Sequence, residues 1–306
     1  MAAVFRSLPK RVTVVEVGPR DGLQNERTLI PTDVKVRFVD ALSDAGLPVI
    51  EVTSFVNPKA IPQLADAEDV LRAIARKPGV RYPVLVPNER GFERALIAGA
   101  HEIAVFTAAS ETFNKHNINA TIAESIERFK PVVEGAKKHQ MRVRGYVSTC
   151  FGCPYEGAVK PAAVLEVVAK LLALGIDEIS ISDTIGVATP RQVAELCALL
   201  LQKIDAGRLA LHLHDTRGTA LANVVAGLQS GVAIFDSSAG GLGGCPYAPG
   251  AAGNLATEDL IYMLDGMGIE TGVSLDKVVR ASALLATQLD HPMTSKYYQA
   301  AVATDL

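Results

Sequence analysis

Eight short apolar, β-branched runs recur along this chain with amphipathic stretches between them, and that alternation constrains the fold more than any other feature. The runs lie at residues 12–17, 49–55, 81–86, 102–107, 142–148, 178–182, 210–214 and 234–238. Helical periodicity marks 32–46, 65–76, 121–138, 162–174 and 190–203. A strand separated from the next by a helix pairs with it in parallel, so the pattern predicts a parallel sheet covered by helices. The punctuation agrees: Thr32 can cap after Pro31, Gly46 and Gly175 can end helices, and Pro190 suits a first helical turn.

Two architectures satisfy this pattern. An open doubly wound sheet would place a Gly-rich dinucleotide turn after its first strand, where this chain has "GPRDGLQNE" instead. An α/β fold of the (β/α)8 TIM-barrel type is therefore favoured, and such barrels commonly form one unit of about 250 residues. The 306 residues, 49% of them hydrophobic, supply the core. Residues 1–270 are expected to form the barrel and catalytic domain. Residues 271–306 read as a helical C-terminal extension packed on it, because no Pro/Ser/Gly-rich linker intervenes.

Thirty basic residues against 33 acidic ones leave a net charge of -3 without long runs of like charge, which argues against nucleic acid or an anionic membrane as partner. No signal-like N-terminus and no apolar stretch long enough to span a bilayer is visible, so a cytoplasmic protein is expected. Four cysteines are too few for a disulfide scaffold.

In a barrel the site lies at the C-terminal ends of the strands, and the polar residues there are Arg20, Asp21, Glu51, Asp183, His212, His214 and Asn254. Positions i and i+2 of a strand share a face, so the "LHLHD" run lets His212 and His214 offer both imidazoles to one centre. With Asp21 and an amide oxygen they would suit Mg²⁺, Mn²⁺ or Zn²⁺. The plainer reading makes one histidine core and the other surface. Arg20 offers paired donors to a carboxylate or a developing enolate oxygen, and Glu51 is its expected ion-pair partner. Asp183, on an apolar strand, is expected either to orient a ligand or to cap the helix that follows. The Gly-rich segment 240–254, "GGLGGCPYAPGAAGN", reads as a flap carrying Cys245 as a proton donor that closes over substrate. Cys150 and Cys153 form a C-x-x-C without a second pair and read as structural. His101, His116, His139 and His291 have no ligand-spaced neighbour and read as structural or solvated.

Taken in order, "VEVGPRDGLQNE", "STCFGCPYEG", "SDTIGVATP", "LHLHDTRG" and "GGLGGCPYAPGAAGN" resemble the 3-hydroxy-3-methylglutaryl-CoA lyase family, within the larger group of metal-dependent lyases and Claisen-type synthases on barrels. The likeness runs over nearly the whole chain. It implies that Asp21, His212, His214 and Asn254 bind a divalent cation, that Arg20 meets the thioester carbonyl as it becomes an enolate, and that Cys245 is the flap acid. It places Glu51 and Asp183 in support. For Asn254 the residues alone suggest only a helix N-cap with an oxygen to spare. The resemblance also implies an acyl-CoA substrate and a homodimer, and the missing targeting segment points to a bacterial-type cytoplasmic enzyme. Three rivals stand beside it: a lyase for a longer 3-hydroxyglutaryl-CoA homologue, a condensing enzyme of the isopropylmalate or homocitrate synthase type, and a barrel that only binds metal or acyl-CoA.

Overall fold

The computed structural model describes residues 8–244 and 253–304; Cys245 and the middle of the 240–254 segment lie outside the described residues. Its strands are β1 Thr13–Glu16, β2 Val49–Ile50, β3 Thr53–Ser54, β4 Val84–Leu85, β5 Glu102–Ala108, β6 Arg142–Ser148, β7 Gly152–Cys153, β8 Gly157–Ala158, β9 Glu178–Asp183, β10 Leu209–Leu213 and β11 Ile234–Ser237. All except β7 and β8 join one sheet in the order β2-β1-β11-β10-β9-β6-β5-β4-β3, and every pairing in it is parallel. The two ends of that order, β2 and β3, are halves of one extended run, so the sheet closes on itself as the expected (β/α)8 barrel.

The expected strand at 49–55 divides because it changes partners midway. Val49 and Ile50 pair with β1, whereas Thr53 and Ser54 pair with β4. The expected strand at 81–86 shortens to Val84–Leu85, because Pro83 has no N–H to give the ladder. The antiparallel pair β7/β8, which periodicity did not suggest, forms within the "CFGCPYEGA" segment after β6.

The helices are α1 Thr32–Asp44, α2 Ala67–Ala73, α3 Glu89–Ile97, α4 Glu111–Ile118, α5 Ile122–Lys138, α6 Pro161–Leu174, α7 Pro190–Leu200, α8 Ala220–Gln229, α9 Thr257–Gly266, α10 Leu275–Ala286 and α11 Lys296–Thr304. Pro161 and Pro190 sit in first turns, Thr121 and Glu124 make a capping box on α5, and α6 ends on Gly175 at φ 85°. Thr32 differs from its expected capping role: it begins α1, and its hydroxyl donates to Asp66 Oδ2 at 2.7 Å. Helix α10 packs on α1, and α11 packs on α9. Among the described residues no helix is long and apolar enough to cross a membrane.

Alternation along the strands sorts the core into two regions. Val12, Val14, Ile179, Ile181, Leu209, Leu211, Leu213 and Phe235 join the large apolar layer between sheet and helices. Their neighbours one residue away face the barrel axis, where Val15, Val17, Val49, Ala210 and Ile234 make a small separate cluster. Leu85, Ala104 and Tyr146 make a second such cluster, and the polar side chains of Arg144, Glu178, Asp236, His212 and Glu51 are buried beside them. The outer layer carries the hydrophobic driving force, and the axis carries the polar groups.

Candidate active site

The first strand leads directly into a π-helical turn, Gly18–Gly22, in which the N–H groups of Arg20, Asp21 and Gly22 all reach Val17 O at 3.2, 2.7 and 3.2 Å. Pro19 suits this turn because its missing donor would have no helical acceptor. At Gly18 a Cβ would lie 2.6 Å from Glu16 Oε1, the same oxygen that accepts the Gly18 N–H at 2.8 Å. The "GPRDG" sequence thus packs without side chains where the turn meets Glu16 and projects Arg20 and Asp21 together at the barrel mouth.

Arg20 is held on both sides. Its Nη1 donates to Asp21 Oδ1 at 2.6 Å, its Nε donates to Glu51 Oε2 at 2.8 Å, and its Nη2 lies 2.7 Å from that same oxygen. Glu51 is therefore the ion partner expected from the sequence. The Tyr146 hydroxyl also donates to Glu51 Oε2, at 3.0 Å, and the Tyr146 ring lies 5.3 Å from the Arg20 guanidinium carbon. Burial opposes charge on Arg20, but Glu51 and Asp21 outweigh it and raise its affinity for the proton. Burial likewise pushes Asp21 up, and Arg20, His212, His214 and the Asn254 amide outweigh it to hold the carboxyl at about 2.

Strand β10 and the residue just past its end deliver the histidines in the expected alternation, with His212 Nε2 and His214 Nε2 3.2 Å apart and His212 Nε2 3.8 Å from Asp21 Oδ2. An isolated antiparallel bridge sets Asn254 against His214, and Leu255 N–H donates to Leu213 O at 2.9 Å. This bridge brings Asn254 Nδ2 to 2.9 Å from Asp21 Oδ2. Asn254 is no helix cap, since α9 begins at Thr257 after Ala256.

Asp21, His212 and His214 each offer a ligand atom, and these atoms lie within 4.8 Å of one another. Burial first, and then the neighbouring His212, lower the His214 pKa to about 4, so its imidazole is neutral at pH 7. Asp21 is ionised there. Among the described residues Asn254 Oδ1 and His214 Nδ1 are buried without a hydrogen-bond partner, an arrangement that costs free energy in the absence of a ligand. A carboxylate, imidazoles and an unengaged amide oxygen are the donor types a divalent cation takes, so these residues fit one.

The other expected residues fall as follows. Asp183 accepts from Val187 N–H and Ala188 N–H, each at 2.9 Å, so its oxygens brace the loop before α7. Cys150 lies 3.0 Å from Val147 O, Cys153 lies 3.0 Å from Ser110 Oγ, and both thiols are free and buried. His116 stacks on Tyr155, and His291 meets Glu26 at 2.7 Å. Three residues of this neighbourhood escaped the sequence reading: Arg144, Tyr146 and Asp236. Their signals were visible in principle, because "RVRGYVS" alternates Arg142, Arg144 and Tyr146 on one face, and Asp236 is a lone acid in an apolar strand.

Residues 11–285 match the family described as HMGL-like. The rat mitochondrial hydroxymethylglutaryl-CoA lyase is 55% identical over 294 residues, covering 96% of this chain and 90% of its own length. The crystal structure of the hydroxymethylglutaryl-CoA lyase from Pseudomonas aeruginosa aligns with a TM-score of 0.95 at 50% identity, over 97% of this chain and 99% of that one. An Acinetobacter baumannii HMG-CoA lyase in complex with coenzyme A and 3-methylmalate aligns at 0.92 and 42% identity, over 100% of this chain and 98% of that one. With matched fold, matched length and a family match over nearly all of its residues, this chain belongs to the HMGL-like family.

Proposed function

We propose that this chain is a carbon–carbon lyase that cleaves 3-hydroxy-3-methylglutaryl-CoA into acetyl-CoA and acetoacetate with a divalent cation. The observation that carries this reading is the convergence of Asp21, His212 and His214 beside Arg20 at one end of the barrel. Asp21, His212, His214 and the Asn254 oxygen would hold the ion. When bound, the ion supplies polarisation of the substrate's carboxylate and tertiary hydroxyl oxygens, which eases ionisation of the hydroxyl.

The chain's own groups perform the rest. Asp21, ionised beside Arg20, accepts the hydroxyl proton directly or through a water. The oxygen's electron pair forms the ketone of acetoacetate, the adjacent carbon–carbon bond breaks, and its electron pair passes to the acetyl-CoA enolate. Arg20 donates to the enolate oxygen in a buried setting where a fixed donor is worth most. Glu51 keeps the guanidinium aimed, Asp183 braces the neighbouring loop, and Cys245 delivers a proton to the enolate carbon.

The same reading takes Mg²⁺ or Mn²⁺ as the ion, a homodimer as the assembly and the cytoplasm as the location. It treats residues 1–270 as the barrel domain and 271–306 as its extension, a division supported by the packing of α10 on α1. The deciding experiment follows acetoacetate release from the purified protein with Mg²⁺, with Mn²⁺ and with EDTA, beside Cys245→Ser. Metal-dependent release that the variant loses is expected. Failure to release acetoacetate under any condition would overturn the assignment, and an unimpaired Cys245→Ser would remove the thiol from the mechanism.

A further inference from the structure

Below His212 in the barrel interior, Asp236 is held from three directions. Arg144 Nη2 donates to its Oδ1 at 2.5 Å, Ser180 Oγ donates to its Oδ2 at 2.9 Å, and His212 Nδ1 lies 3.2 Å from Oδ2. Arg144 is itself paired through Nε with Glu178 Oε1 at 3.3 Å, and each of these residues is buried. A carboxylate paired with an arginine accepts hydrogen bonds and has none to give. The imidazole nitrogen facing it must therefore carry the proton. An imidazole ligates through the nitrogen that carries no proton, so the nitrogen left for a cation is His212 Nε2, which lies toward His214 Nε2 and Asp21 Oδ2.

We propose that Asp236 is the positioning residue of this centre: it fixes His212 as the Nδ1–H tautomer and aims Nε2 at the cation, while Arg144 and Glu178 fix Asp236. The inference rests on the reading of Asp21, His212 and His214 as ligands. Outer partners of ligand histidines set both tautomer and ring orientation, and removing one typically costs about 10- to 100-fold in metal affinity. Asp236→Asn has a specific consequence. Arg144 claims the single amide oxygen, the NH2 group turns to His212, and the ring is driven to the opposite tautomer.

Two measurements on the full chain test this. Mn²⁺ is titrated into wild type, Asp236→Asn and His212→Ala, with free ion read by electron paramagnetic resonance, and the His212 tautomer is read in metal-free protein by ¹⁵N NMR. The wild type is expected to bind Mn²⁺ and to show Nδ1–H. Asp236→Asn is expected to bind about 10- to 100-fold more weakly and to show Nε2–H. A folded Asp236→Asn with wild-type affinity and an unchanged tautomer overturns the positioning role while leaving the centre in place. If the variant does not fold, a wild-type His212 protonated on Nε2 overturns the role without it. Wild type that binds no Mn²⁺ overturns the centre, and the positioning role with it.

Discussion

The Tyr146 hydroxyl donates at 3.0 Å to Glu51 Oε2, the same oxygen that accepts Arg20 Nε at 2.8 Å. One carboxylate oxygen thereby joins β6 to the turn after β1. Glu51 is fully buried, and its other oxygen has no hydrogen-bond partner among the described residues, so each donor it keeps matters. Tyr146→Phe removes one of them at nearly constant shape, and we expect a loss of about 1–3 kcal/mol in stability. Chemical denaturation checks this, and an unchanged midpoint would show that Arg20 alone satisfies Glu51.

Arg20 is the only residue on which Asp21 and Glu51 both close by hydrogen bonds among the described residues. Arg20→Gln keeps one amide donor but loses the charge and the fork. Turnover should fall by about 10²- to 10³-fold with a modest change in KM, as for a donor used chiefly in the transition state. Steady-state kinetics at saturating cation decide it, and a rate close to wild type would remove Arg20 from the chemistry.

Asp21→Ala and His212→Ala each delete one member of the 4.8 Å ligand cluster. Both should lower bound Mn²⁺ at equilibrium and activity together. Chelation of the wild type should reproduce the loss, and restoring the ion should reverse it in the wild type only. Elemental analysis after dialysis separates this from misfolding, and full metal content in both variants would contradict the ligand assignment.

Burial raises the pKa of Glu16 to about 7 and that of Glu258 to about 7, even though Glu16 accepts from Gly18, Ala239 and Thr257 and Glu258 accepts from Gly240 and Ser282. Between the ordinary value of 4.5 and about 7 the folded chain holds more protons than the unfolded one, so stability is fully present below about 4.5 and is lost as pH rises through about 7. Each group contributes a decline on the order of 3 kcal/mol. Metal-free protein melted across pH 5–8 should show the fall, and Glu16→Gln should remove the share of Glu16 while leaving that of Glu258. A wild-type midpoint that is flat over this range would contradict the raised values.

Alternating apolar runs and helical periods made the barrel legible, because hydrophobic spacing is a local property of the chain and parallel pairing follows from the helices between strands. The His212/His214 pair was legible for the same reason, since a strand repeats every second residue. Capping was partly legible: Gly175 and Pro190 behaved as read, but Thr32 turned to Asp66, a residue 34 positions away.

What only the tertiary structure decided is which distant groups share an oxygen or a centre. Closure of the sheet through the divided run of β2 and β3 brings Glu51 to Arg20 and Tyr146. The bridge of His214 to Asn254 brings an amide from beyond the eighth strand to Asp21, a placement that nothing local to Asn254 encodes. Asp236 meets Arg144 across 92 positions of sequence and His212 across 24. Local sequence determines the period and therefore the face on which a side chain lies, whereas barrel closure and strand register determine what that face meets.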